Sequence, residues 1–250
     1  MNLKEKIKII WHALEAPLTF LVLLSLFSEI FYLIPFNLVI INSSNLSSIY
    51  AYLCLAMYLI PKYKKEKKGR VRKSKLSCNA YYFVLGFLSA AIFNIVLYYA
   101  FVIFLGSSGV TTTDGISRTL MFYLLTCILG PCIEELCFRA FPKIRLEKKF
   151  STLFIIVFSS VVFALIHGSS ILNVMYAFIF GIFLIYIYIK TNNLLYPILF
   201  HIGANSSSAV LEIFPMPSID NLIYYLPILI VFICLSALIL KNRNCLKNSK

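Results

Sequence analysis

Long apolar runs, interrupted by short polar or basic segments, organise this chain from end to end. A helix needs about 20 mostly apolar residues to cross the hydrocarbon core of a bilayer. The runs place eight spans near 10–34, 37–60, 78–106, 117–141, 151–168, 171–190, 193–212 and 221–241. Pro35, Pro61, the Gly106–Gly109 segment, Gly168 and the Pro215–Pro217 segment punctuate the connections. The spans are apolar nearly all round, so periodicity does not say which face of each meets lipid. The pattern predicts an all-α fold, a polytopic membrane bundle of about eight transmembrane helices. It contains no internal repeat and no low-complexity tract.

Basic residues test that layout. Lys4, Lys6 and Lys8 precede the first span, and the run from Lys62 to Lys75 follows the second. Lys143, Arg145, Lys148 and Lys149 follow the fourth, Lys190 ends the sixth, and the tail from Lys241 to Lys250 is basic. The loop at 107–115 and the one holding Glu212 and Asp220 lack Lys and Arg. All these segments obey the positive-inside rule under one assignment, with the N- and C-termini cytoplasmic in a multi-pass cell-membrane protein. Adding or deleting one span would invert several loops at once.

Composition agrees. The 250 residues are 60% hydrophobic and 13% charged, with a mean hydropathy of +0.88. Soluble domains carry about 25% charged residues, and a chain this short cannot hide so much apolar surface from water. A single membrane domain over 1–250 is expected, with the lipid bilayer as solvent. The basic start followed by an apolar stretch resembles a signal peptide. The stretch is long and no small-residue cleavage site closes it, so it reads as an uncleaved first span. The net charge of +13 sits mainly in loops and tails, where topology demands it, so no nucleic-acid partner is expected. Attraction to anionic headgroups is the better secondary role. The seven cysteines form no CxxC pair and read as small hydrophobes in helices, not as a disulfide framework.

Ionisable residues inside spans are costly and usually functional. His12, Glu15 and Glu29 lie near span ends, where water is within reach. Glu134, Glu135, Arg139, His167 and His201 lie in three C-terminal spans. Glu135 and Arg139 are four apart, so they share a helical face, with the acid N-terminal to the base. Glu134 is turned about 100° away and points elsewhere in the bundle. It is therefore the carboxylate available for general acid/base work. His201 and Asn205 again lie one turn apart on one face. An imidazole and a carboxamide so placed can both donate to one oxygen, as an oxyanion site requires. Phe163 stands one turn before His167 and would pack beneath it. Cys137, one turn from Glu134, reads as packing. No GxSxG or HExxH motif offers a rival set.

The ordered motifs EExxxR (Glu134, Glu135, Arg139), FxxxH (Phe163, His167) and HxxxN (His201, Asn205) resemble the CPBP family. That family comprises type II CAAX prenyl endopeptidases and related bacteriocin-processing or immunity proteins. The resemblance covers roughly 117–212, the expected catalytic core. It implies eight helices around a water-filled cavity and intramembrane endopeptidase chemistry on a peptide or membrane-protein substrate. It assigns Glu134 and His167 to water activation, and His201 and Asn205 to the oxyanion. Glu135 and Arg139 take a structural role. A divalent metal such as zinc, if bound, would fall to Glu134, His167 and His201. Asn205 is a poor zinc ligand, and the metal-free arrangement is favoured. The Lys-, Ile- and Asn-rich composition suggests a low-GC bacterium, which makes bacteriocin maturation or self-immunity the implied setting. A non-catalytic membrane immunity or binding protein, and a proton-coupled transporter, are the alternative readings of the same polar cluster.

Overall fold

The computed structural model describes residues 2–33, 43–67, 74–105, 120–168, 170–213 and 230. The described residues are almost entirely helical, in the order α1 (Leu3–Leu33), α2 (Ser43–Glu66), α3 (Leu76–Leu105), α4 (Leu120–Leu146), α5 (Thr152–Ile166), α6 (Ile171–Thr191) and α7 (Leu195–Ile213). Seven of the expected spans correspond to these helices. The eighth, 221–241, lies outside the described residues. Among the described residues, five helices, α1, α2, α4, α6 and the Leu76–Leu97 part of α3, are long and apolar enough to cross a membrane. Helix α5 is apolar but shorter, with 15 residues. Large apolar side chains such as Trp11 (68% exposed), Met57 (70%) and Leu165 (68%) point outward. Their cost in water disappears in lipid.

The chain divides into two compact units. The first joins Met1–Lys73 to Thr119–Pro197, and the second joins Ser74–Arg118 to Ile198–Lys250. The expected core at 117–212 draws on both.

In the first unit, polar residues tie α1, α2 and α4 together near one set of helix ends. The Arg145 guanidinium makes a two-pronged bond to Glu66, at 2.9 and 2.7 Å, and also donates to the His12 carbonyl. Glu15, expected simply to meet water, also accepts from Lys62 and Tyr58 and lies 3.3 Å from Arg145. Such fork-shaped pairing suits a guanidinium. Deeper in this unit, Phe20, Phe138 and Phe163 pack edge to face.

Helix α4 carries the first motif and is not a regular α-helix. It includes two π-helical turns, Leu125–Leu129 and Leu136–Ala140. Each ends where the residue before a proline, Gly130 or Phe141, bonds to the carbonyl five residues back. The prolines, Pro131 and Pro142, have no N–H and would clash with the carbonyl four residues back in an unbroken α-helix. A wider turn relieves that clash. Pro142 thereby releases the Phe138 carbonyl, and the buried Ser159 hydroxyl on α5 donates to it at 2.6 Å. One backbone acceptor left by a proline thus becomes a link between α4 and α5.

Serine caps start the next two helices. Ser151 accepts from the Phe154 N–H and Ser170 from the Asn173 N–H. Helix α6 ends at Asn192, whose φ of 49° is the left-handed conformation common at helix C-termini.

In the second unit, α3 and α7 meet at two glycines. A Cβ on Gly86 would lie 1.9 Å from the Phe200 carbonyl oxygen, and one on Gly203 would lie 2.1 Å from that of Phe83. Only glycine permits backbones to approach so closely. Asn94 also donates to the Ser208 hydroxyl at 3.1 Å. Cys78, on α3, is disulfide-bonded, a correction to the expectation that every cysteine packs as a free thiol. Cys54, Cys127, Cys132 and Cys137 are free.

Candidate active site

The first two motifs form one stack of side chains within the first unit. Glu135 Oε1 lies 3.3 Å from Arg139 Nη1, and both side chains are fully buried. This is the ion pair expected from their four-residue spacing. The guanidinium carbon stands 3.8 Å from the centre of the Phe163 ring, on its face. That ring in turn lies 4.2 Å from the His167 ring. Phe163 is thus inserted between Arg139 and His167. A cation over an aromatic face is attracted to it, more strongly where water is excluded.

His167 caps the C-terminus of α5, and its Nδ1 lies 2.8 Å from the Phe163 carbonyl oxygen. A carbonyl only accepts, so Nδ1 carries the proton and donates it. In the neutral ring Nε2 then presents a lone pair, and Nε2 lies 4.0 Å from Glu134 Oε2. That separation is too long for a direct hydrogen bond and suits one bridging water. Glu134 is mostly buried and the His167 side chain is 37% exposed. The structure therefore brings Glu134 and His167 together, with Glu135 and Arg139 behind them.

The open side of His167 borders a cleft of about 380 Å³, lined also by Ile166, Asn173, Tyr176 and Ala177. Asn173 is an exposed polar residue near the start of an otherwise apolar spanning helix. Tyr176 stacks on Phe180 at 4.6 Å. A search of the spans for ionisable groups passes over both residues, because neither carries a charge. An amide in a membrane helix is the signal that would have found Asn173. A tyrosine of α2, Tyr52, also reaches this region. Its hydroxyl and Glu134 Oε1 both lie against Gly130 of α4, 3.2 and 3.4 Å from where a Cβ on that glycine would stand. Nothing in the sequence distinguishes Tyr52 from the other tyrosines.

The third motif belongs to the second unit. His201 and Asn205 stand one turn apart on α7, His201 buried and Asn205 half-buried. Gly203, between them in sequence, makes the close approach to the α3 backbone.

Zinc ligands bind at about 2.0–2.2 Å in a tetrahedron, which sets neighbouring ligand atoms about 3.3 Å apart. The 4.0 Å between Glu134 Oε2 and His167 Nε2 is wider than that edge. Among the described residues, no three His, Cys, Asp or Glu side chains are grouped as a cation site.

Residues 116–207 match the family model described as type II CAAX prenyl endopeptidase Rce1-like. No curated protein and no solved structure matches the chain. The matched stretch contains all three motifs, from Glu134 to Asn205, and leaves out α1, α2 and α3. That match spans under half of the chain, and with the motifs in their family order it makes residues 116–207 of this multi-pass membrane protein similar to the CPBP family of intramembrane proteases.

Proposed function

We propose that the protein is an intramembrane endopeptidase in which Glu134 and His167 activate a water. The observation that carries this reading is the 4.0 Å gap between Glu134 Oε2 and His167 Nε2, with Nδ1 already bonded to the Phe163 carbonyl. A water held in the gap loses a proton to Glu134 as its oxygen attacks the carbonyl carbon of the peptide. The family resemblance assigns the resulting oxyanion to His201 and Asn205 as hydrogen-bond donors. When the C–N bond breaks, the proton on Glu134 passes to the departing amine. A carboxylic acid and an amine are released, the acid's proton passing to the amine or to water, and Glu134 is again ionised. General acid/base groups of this kind contribute about 10²–10⁴-fold, and a single oxyanion donor about 10²–10³-fold. Glu135 and Arg139 neutralise one another and hold Phe163 in place.

The reaction requires no metal ion. The substrate is a peptide reaching the site from the cytoplasmic leaflet, with both termini of the protease on the cytoplasmic side. Maturation of a bacteriocin, or self-immunity towards one, is the setting carried by the family resemblance.

The test uses the full chain in lipid nanodiscs, with membrane-associated peptides as substrates and mass spectrometry as readout. Cleavage is expected to be lost in Glu134→Gln with the thermal unfolding midpoint unchanged, and to survive complete chelation. A Glu134→Gln protein that folds and retains full biological activity would end the proteolytic reading. Loss on chelation with rescue by zinc would end the metal-free one.

A further inference from the structure

The three motifs account for Glu134 on the side facing His167. They leave its other side unassigned. There Gly130, one turn earlier on α4, presents bare backbone, and Tyr52 of α2 reaches over it. The Tyr52 hydroxyl and Glu134 Oε1 approach the same point above Gly130, to 3.2 and 3.4 Å. The Tyr52 ring is steadied by a parallel stack on Phe20 at 6.5 Å. Phe20 in turn meets Phe138 edge-on at 5.3 Å. The tyrosine is thus held between α1 and α4, with its hydroxyl and Glu134 Oε1 flanking the same point over Gly130.

We infer that Tyr52 is a further member of the water-activating site, its hydroxyl holding the Glu134 carboxylate and the water upon it at Oε1, while His167 is nearest Oε2. The inference rests on reading Glu134 as the acid that activates water. Two oxygens that lie 3.2 and 3.4 Å from one point are at most about 6.6 Å apart, a range that water can bridge. A phenol can donate to the carboxylate and accept from the water at the same time. Such a contact fixes the carboxylate rotamer when Glu134 is ionised, and weakens when Glu134 carries the proton. A side chain at position 130 would occupy the space where the two groups meet, which gives the glycine a reason beyond helix packing. Tyr52 lies outside the stretch matched to the family and outside the three motifs.

The test has one readout that needs no substrate. In nanodiscs, the infrared band of the Glu134 carboxyl is assigned by its loss in Glu134→Gln. Tyr52→Phe is then expected to shift that band. Tyr50→Phe removes a hydroxyl from the same helix at a ring stacked on Phe27 and Phe31, and is expected to leave the band unchanged. With a cleaved peptide in hand, Tyr52→Phe should lower kcat about tenfold, the loss of one hydrogen bond to a charged group, and leave KM within about twofold. A Glu134 band identical in Tyr52→Phe and wild type overturns the inference, whatever the activity. A shifted band in a protein that cleaves nothing sustains the Tyr52 contact and ends the proteolytic reading instead.

Discussion

Phe163 acts through two different parts. Its ring lies between the Arg139 guanidinium and the His167 imidazole, and its carbonyl fixes the His167 tautomer. The two roles can be separated. Phe163→Leu keeps the carbonyl and most of the volume but removes the aromatic face, so it should lower stability by about 1–2 kcal/mol and leave some activity. Phe163→Ala opens a cavity in a buried site and should cost about 3–5 kcal/mol. Thermal unfolding in detergent checks both. At Asn173, removal of the amide by Asn173→Ala should raise KM for a cleaved peptide several-fold with kcat nearly constant, the pattern of lost uniform binding. A fall in kcat at constant KM would move Asn173 from binding to chemistry. The packing of Phe163 against His167 was legible in their spacing. The carbonyl's role was not, because every residue has a carbonyl and only the local helix end aims this one. Tyr52 was invisible for a related reason. Its partner lies on another helix, and no local pattern records that.

Helix α4 shows where pattern reading stops. Its hydrophobicity marks a span, and the four-residue spacing of Glu135 and Arg139 predicts the pair that forms. The two π-helical turns were not foreseen, although Pro131 and Pro142 signal that a regular α-helix cannot continue. Their consequence at Ser159 can be measured. Ser159→Ala leaves the buried Phe138 carbonyl without the hydroxyl and should cost about 1–3 kcal/mol. Pro142→Ala restores an N–H that can serve the same carbonyl. In the Pro142→Ala background, Ser159→Ala should therefore cost markedly less, a coupling read from a double-mutant cycle of unfolding free energies. Strict additivity would show that proline and serine do not share that acceptor. Pro142→Ala should also reduce activity, because a regular helix would turn Glu134 relative to Arg139.

The helical class and the membrane location were legible from apolar run lengths and basic loops, because lipid leaves so few solutions for the backbone. The division into two units was not, since hydropathy carries no information about which helices pack together. The α3–α7 contact rests on Gly86 and Gly203, two among nine glycines in the chain. Gly203→Ala would place a methyl 2.1 Å from the Phe83 carbonyl oxygen. It is expected to force the helices apart, lower the unfolding temperature and abolish cleavage, while Gly203→Ser should be at least as damaging. A fully active Gly203→Ala protein would show that α7 is positioned by other means.

That crossing also bears on how the protein can be rebuilt. Helix α7 carries His201 and Asn205 within the stretch the family shares, yet the groove that receives it is moulded by α3, which lies outside that stretch. The shared stretch is therefore not portable. Transplanted behind a foreign N-terminal half, its last helix would arrive without the matching notch and would have to find a new seat.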